Sequence, residues 1–359
     1  MSEPIEPKHE GLQSQHVFID TQAFRQRGHN LTVEPFSALG QRIADQHLIL
    51  HLSDITLREV ERQIGEMALE AASVFRQTSR QLESWRHKAA GADLPQFKPP
   101  SAEVLSQAAW SAFRQRAVVD WRAVVHEALK ASTALVFDRY FQRKAPFDRD
   151  SKEFPDAFVL AALEDWCERW DEKMYVLSAD AAVQRAAEAS PYLIPIKRLE
   201  EVLALVTEAQ SPEAAELAES FLGSEHVRSV LSGELEAQID RLGLNYSGDR
   251  YPEGHALAAR VLREPEISKY TVLSRQGGKL KLLIEYDVTL DIDLVYEDRS
   301  NAFYDRDDDT WFGAETAETQ IVNDVKVKLL VDADTEAGDG SIDLVSDTVT
   351  VAEGFEPST

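Results

Sequence analysis

Four acidic residues stand where apolar segments begin or end. Asp20 closes the run His16-Val17-Phe18-Ile19, and Glu59 falls in the second turn of a helix that Ser53 or Asp54 would cap. Asp156 follows Pro155 at the start of an apolar helix, and Asp180 follows Met174-Tyr175-Val176-Leu177-Ser178-Ala179. In an open α/β sheet the ligand crevice lies beyond the carboxyl ends of the strands, so Asp20 is expected at its mouth. Brought together, four carboxylates repel one another and raise at least one pKa unless a cation joins them. A hard ion that prefers oxygen, Mg²⁺ or Mn²⁺, suits such a set. One or two such ions activate water, polarise a phosphate and neutralise the leaving oxygen, which together are the needs of phosphodiester hydrolysis.

Each acid also has a plainer role open to it. Glu59, like its neighbours Glu61 and Glu66, can be a surface carboxylate favoured by a helix dipole. Asp156 can serve only its helix start, and Asp180 can cap the next helix with Ser178 as a turn residue. Other chemistries are less well provided for. The nine His are scattered with no H-E-x-x-H and no Cys/His cluster, so no zinc site is expected. Cys167, the single cysteine, sits beside Trp166 on an apolar helix and reads as core. No P-loop glycine pattern occurs, and Asp20-Thr21-Gln22 lacks the second Asp of an aspartyl-phosphate phosphatase.

The elements that must position the acids alternate. Strands are expected at about 16–20, 47–52, 174–178 and 192–196, and helices at about 35–46, from 53 onward, from 154 and over 180–189. That alternation predicts a parallel sheet with right-handed crossovers. Between the second and third acids, residues 66–145 read as helical, broken by Pro95, Pro99 and Pro100. The three-to-four spacing of Val118, Trp121, Val125, Leu129 and Leu135 predicts a helix over 118–143.

The order strand–Asp20-Thr21, helix–Glu59, Pro155-Asp156-Ala157 and strand–Ser178-Ala179-Asp180 resembles that of the PIN-domain nucleases, from about residue 15 to residue 200. The resemblance implies a metal-dependent endoribonuclease with Asp20, Glu59 and Asp156 as its three central acids and Asp180 as its variable fourth. Ser178 would steady the first Asp, with Thr21 adjacent. Gln22 stands where the family often has Asn, and the helical segment 66–145 is an insertion relative to the compact family pattern. The implied substrate is RNA, with DNA as the alternative polymer. Arg25, Arg27, Arg58, Arg149 and Lys152 are the cations within reach of its phosphates.

The net charge of −25 is unevenly placed. Residues 1–200 hold 25 Lys and Arg against 29 Asp and Glu, whereas residues 201–359 hold 13 against 34. The first half can therefore approach phosphates, and the second half would repel them. Residues 1–14 read as a loose leader, 201–267 as an acidic helical segment and 268–359 as an acidic antiparallel β domain, whose alternation is clearest in Lys279 to Leu294 and Asp324 to Val331. A non-catalytic alternative keeps the nuclease fold as a scaffold and gives the acidic domain a protein partner. No stretch approaches the roughly 20 apolar residues of a membrane span. With one cysteine and no signal-peptide pattern, a cytoplasmic location is the expectation.

Overall fold

The computed structural model describes residues 11–88, 100–147, 153–248, 250–300, 302–305, 310–345 and 348–351. It divides the chain into two compact units, Met1–Val206 and Thr207–Thr359.

The first unit is built on a five-stranded parallel sheet. In chain order its elements are β1 (His16–Ile19), α1 (Thr21–Arg25), α2 (Phe36–Ala44), β2 (Ile49–Ser53), α3 (Asp54–Lys88), α4 (Ala102–Arg114), β3 (Val124–His126), α5 (Thr133–Phe141), α6 (Phe154–Trp170), β4 (Met174–Leu177), α7 (Ala181–Glu188), β5 (Leu193–Ile196) and α8 (Leu199–Gln210). The strands lie in the order β3-β2-β1-β4-β5. Val17, Phe18, Ile19 and the whole of β4 are buried, as central strands covered on both faces must be. The chain runs outward from β1 to β2 and β3, then crosses to β4 on the other side of β1. The switch point, where ligand crevices form, therefore lies between the carboxyl ends of β1 and β4. One layer of core joins Phe18 and Val176 of the sheet to Leu160, Leu163 and Cys167 of α6. Burial pushes the Cys167 thiol up to about 12, with Glu164 and Glu172 adding to the rise, so it is an inert core residue.

The helix expected over 118–143 does not form. Gln115–Asp120 is a π-helical turn, and Arg122 adopts a left-handed φ of 53° that ends it. Val124 and Val125 then take the place beside β2 that their branched side chains favour, and Ser132 caps α5 afresh by accepting from the Leu135 N–H at 3.3 Å. Trp121 is buried against α2, where its indole lies on Gly40 so closely that an added Cβ would meet Nε1 at 2.8 Å. The segment 66–145 is thus helical in part and supplies an edge strand of the main sheet.

In the second unit, α9 (Glu213–Gly223) and α10 (Glu225–Gln238) precede β6 (Gly243–Tyr246), β7 (His255–Val261), β8 (Glu266–Gln276), β9 (Lys279–Asp298), β10 (Phe303–Asp305), β11 (Thr310–Phe312), β12 (Glu315–Asp334), β13 (Asp339–Leu344) and β14 (Thr348–Val351). The segment 201–267 is therefore helical only to residue 241, where a 3-10 turn (Ile239–Arg241) ends it; β6 and β7 follow. β6 pairs with β14 at the far end of the chain, a partner that local patterning cannot announce. β9 and β12 pair antiparallel along their full length, and β9 also binds β7 and β8. Leu280, Leu282, Ile284, Tyr286, Val288, Leu290, Ile292 and Leu294 point to one face and share a core with Ala218, Phe221, Leu231 and Leu235 of the helices. The other face carries charge, including Lys326 between Glu285 (3.4 Å) and Asp287 (3.0 Å). Gly277, at φ 60°, makes the turn between β8 and β9.

Candidate active site

Asp20 follows β1 directly and is the N-cap of α1, with φ −72° and ψ 153°. Its backbone N–H donates to the Leu177 carbonyl at 3.0 Å, which ties it to the end of β4 at the switch point. Its Oδ1 accepts from the Thr21 N–H at 2.7 Å and its Oδ2 from the Ser178 hydroxyl at 2.7 Å. The Thr21 hydroxyl donates to Glu59 Oε2 at 2.6 Å, so one residue holds two of the acids. Both intermediaries are buried, Thr21 to 5 % exposure and Ser178 to 1 %.

Asp180 caps α7, its Oδ1 accepting from the Ala182 N–H at 2.6 Å and the Val183 N–H at 3.0 Å. Its own N–H donates to the Ser178 hydroxyl oxygen at 3.1 Å. Ser178 therefore links Asp20 and Asp180 as Thr21 links Asp20 and Glu59. Asp156 lies in the first turn of α6 behind Pro155.

The neighbouring acids act on Asp20 and Asp156. Burial pushes the Asp156 carboxyl up to about 7, and Asp20, Glu153, Glu59 and Asp180 push it the same way. Burial also raises Asp20; its bonds from Ser178 and Thr21 pull it back, while Glu59 and Asp180 raise it further. Among the described residues, every neighbouring charge that shifts these two groups is acidic, the condition that a cation relieves. Among the described residues no three His, Cys, Asp or Glu already stand as a metal cage. The donor set, carboxylate and hydroxyl oxygens, is nonetheless chemically suited to Mg²⁺ or Mn²⁺ and unsuited to soft ions.

Of the expected cations, Arg25 ends α1 and Arg58 precedes Glu59 on α3, both exposed, and Arg27 is half-buried just beyond α1. Arg149 and Lys152 lie outside the described residues.

Two features escape a reading of the sequence. Gln184 is buried in α7, and its amide donates to the Ser178 and Ile196 carbonyls, each at 2.7 Å. It clamps the ends of β4 and β5 beneath the acids. A lone amide among Ala181-Ala182-Val183 and Ala186-Ala187 is the only sign of it. The histidines are also not all scattered. His16 Nδ1 meets His51 Nε2 at 2.9 Å, and His51 Nδ1 meets His126 Nε2 at 2.8 Å. This ladder climbs across β1, β2 and β3 against Trp166. The opposite ring nitrogens of His51 each face a different histidine, so the three do not converge on one point as a zinc site requires.

Comparison with protein families adds one finding: residues 17–182 match the PIN domain. No curated protein and no solved structure matches the chain. The match begins within β1 and ends in the first turn of α7, so it takes in all four acids together with Thr21 and Ser178. PIN domains are a nuclease-type family, and no described helix is long and apolar enough to cross a membrane. Residues 17–182 thus match the PIN domain, and they lie on a parallel α/β sheet followed by a mainly antiparallel β unit.

Proposed function

We propose that the chain is a metal-dependent phosphodiesterase, an endoribonuclease that hydrolyses RNA. The observation that carries this reading is the Asp156 carboxyl, pushed up to about 7 by burial first and then by Asp20, Glu153, Glu59 and Asp180. Asp20 and Asp156 would hold the metal ion, with Asp180 completing the set, and the ion would supply Lewis acidity and charge neutralisation. Glu59, fixed by the Thr21 hydroxyl, orients the attacking water. Ser178 keeps the Asp20 carboxylate turned to the mouth of the site. Arg25 and Arg58 receive phosphates. The acidic second unit repels polyanions and is suited to a protein partner of basic charge. Incubating the full chain with mixed RNA and DNA oligonucleotides, with and without Mn²⁺ or Mg²⁺, tests the reading. Cleavage of RNA only in the presence of metal is expected, and no cleavage of either polymer with either ion would refute it.

Asp156→Asn separates the metal role from the fold. A carboxyl whose folded pKa lies above its unfolded value costs stability once pH exceeds both, and the cost vanishes below the unfolded value of 3.8. At pH 8 without metal, the Asn variant should therefore be more stable than the parent by a few kcal/mol, at about 1.4 kcal/mol for each pH unit that separates the folded and unfolded values. Near pH 4 the gain should disappear. Thermal melts should also show a smaller upward shift on adding Mn²⁺, because binding to the folded state stabilises by mass action. An undiminished Mn²⁺ shift would remove Asp156 from the ligand set.

A further inference from the structure

Next to Asp156 in the chain, α5 and the start of α6 carry a row of aromatic rings, of which Tyr140 and Phe154 are half-buried against a small core and Phe137 and Phe141 extend it into solvent. Phe141 is 74 % exposed and Phe137 41 % exposed, one helical turn apart on α5. Their ring centroids are 6.2 Å apart, and Phe137 lies 5.4 Å from Phe154, the first residue of α6. Tyr140 joins the row, 5.1 Å from Phe154 and 5.4 Å from Phe141. Behind them Val136, Phe147, Ala157 and Ala161 form a small buried core, and an Arg139–Glu164 ion pair ties α5 to α6. The edge is thus fixed in place while its outer rings stay in water. Two residues beyond Phe154 comes Asp156.

We propose that Phe137, Phe141 and Phe154 form a stacking edge that takes unpaired bases of the polynucleotide as its backbone enters the acid site. The inference deepens the nuclease reading and rests on it. Every base has an apolar face that an aromatic ring can cover, whereas bases in a duplex are already stacked, so such an edge selects single strands. The surroundings favour a nucleic acid over a protein. The exposed cations Arg143 and Lys144 follow α5 immediately, where backbone phosphates would pass. One ring of the edge, Phe154, also opens the helix that presents Asp156 to the candidate site.

The test uses the full chain and a double variant, Phe137→Ala/Phe141→Ala, with Phe141→Trp as a conservative control. Fluorescence anisotropy in EDTA measures binding of a single-stranded and a duplex RNA 12-mer, and Mn²⁺-supported cleavage of the single strand gives KM and kcat. Loss of stacking for one or two bases should weaken single-strand binding roughly ten- to hundredfold and raise KM in step. Duplex affinity and circular dichroism should be unchanged, and Phe141→Trp should bind as the parent does. Equal single-strand affinity and KM in parent and double variant, with parental cleavage intact, would overturn the edge and leave the nuclease reading standing. Lost single-strand binding in the double variant with no cleavage by either protein would do the reverse. A shift in sedimentation from dimer to monomer with RNA affinity unchanged would show that the edge joins two copies of this chain, and would also overturn the proposal.

Discussion

Asp20→Asn is expected to lower Mn²⁺-supported RNA cleavage by roughly 100-fold or more, since loss of groups that merely orient metal ligands already costs about 10–100-fold. The substitution is chosen because it leaves most of the local structure in place. An Asn oxygen can still accept from the Thr21 N–H, so the cap of α1 survives. The amide nitrogen replaces the acceptor to which the Ser178 hydroxyl donates, so that O–H loses its partner. That loss costs about 1 kcal/mol. Relief of repulsion with Glu59, Asp156 and Asp180 acts in the other direction, so the melting temperature in EDTA should change little. Ser178→Ala is the companion: the Asp20 charge stays but loses its orienting donor, and cleavage should fall by about 10–100-fold. If purified Asp20→Asn protein cuts RNA as fast as the parent, the acids are not the catalytic centre.

What the sequence made legible here is local. An apolar run that stops in Asp, a proline followed by Asp at a helix start, and a strand ending in Ser-x-Asp are each written within six or seven consecutive residues. Their order along the chain survives any loop length between them. The alternating strands β9 and β12 were readable for the same reason, since their buried faces repeat every second residue over a long span. Features set by distant partners were not readable. Val124 and Val125 fit a helical stripe as well as a strand, and only the open edge of β2 decides between them. β6 exists because β14 pairs with it. Gln184 acquires its role from two carbonyls on different strands. Likewise His16, His51 and His126 look unrelated until the parallel register sets them diagonally on one face of the sheet.

That ladder makes the first unit sensitive to acid in a way the carboxylates do not. Each nitrogen–nitrogen contact holds one proton between two rings, so three neutral rings satisfy both contacts and keep one proton for an outer nitrogen. A fourth proton can sit on the other outer nitrogen, but a fifth must break a contact. Burial lowers all three groups: His51 to about 2, with His126 and His16 adding repulsion, and His126 to about 4. His16 falls less freely because Glu172 partly offsets its burial. The unfolded chain takes up its protons near pH 6.5, so it binds more of them than the folded state below that pH, and stability falls with pH from about 6.5 downward. Asp156 works against this, since its raised pKa relieves strain as pH drops below 7. Comparing two proteins that both keep Asp156 cancels its part. His51→Gln is expected to cost about 1–3 kcal/mol at pH 7.5 by leaving buried nitrogens unpaired. It also removes the group with the lowest pKa, which should flatten the loss of stability by about 1.4 kcal/mol per pH unit below 6. Urea unfolding at pH 7.5, 6.0 and 4.5 measures both quantities, and the gap between parent and variant should narrow across that series. A gap that stays constant from pH 7.5 to 4.5 would mean that His51 takes up its proton in the folded chain as readily as in the unfolded one.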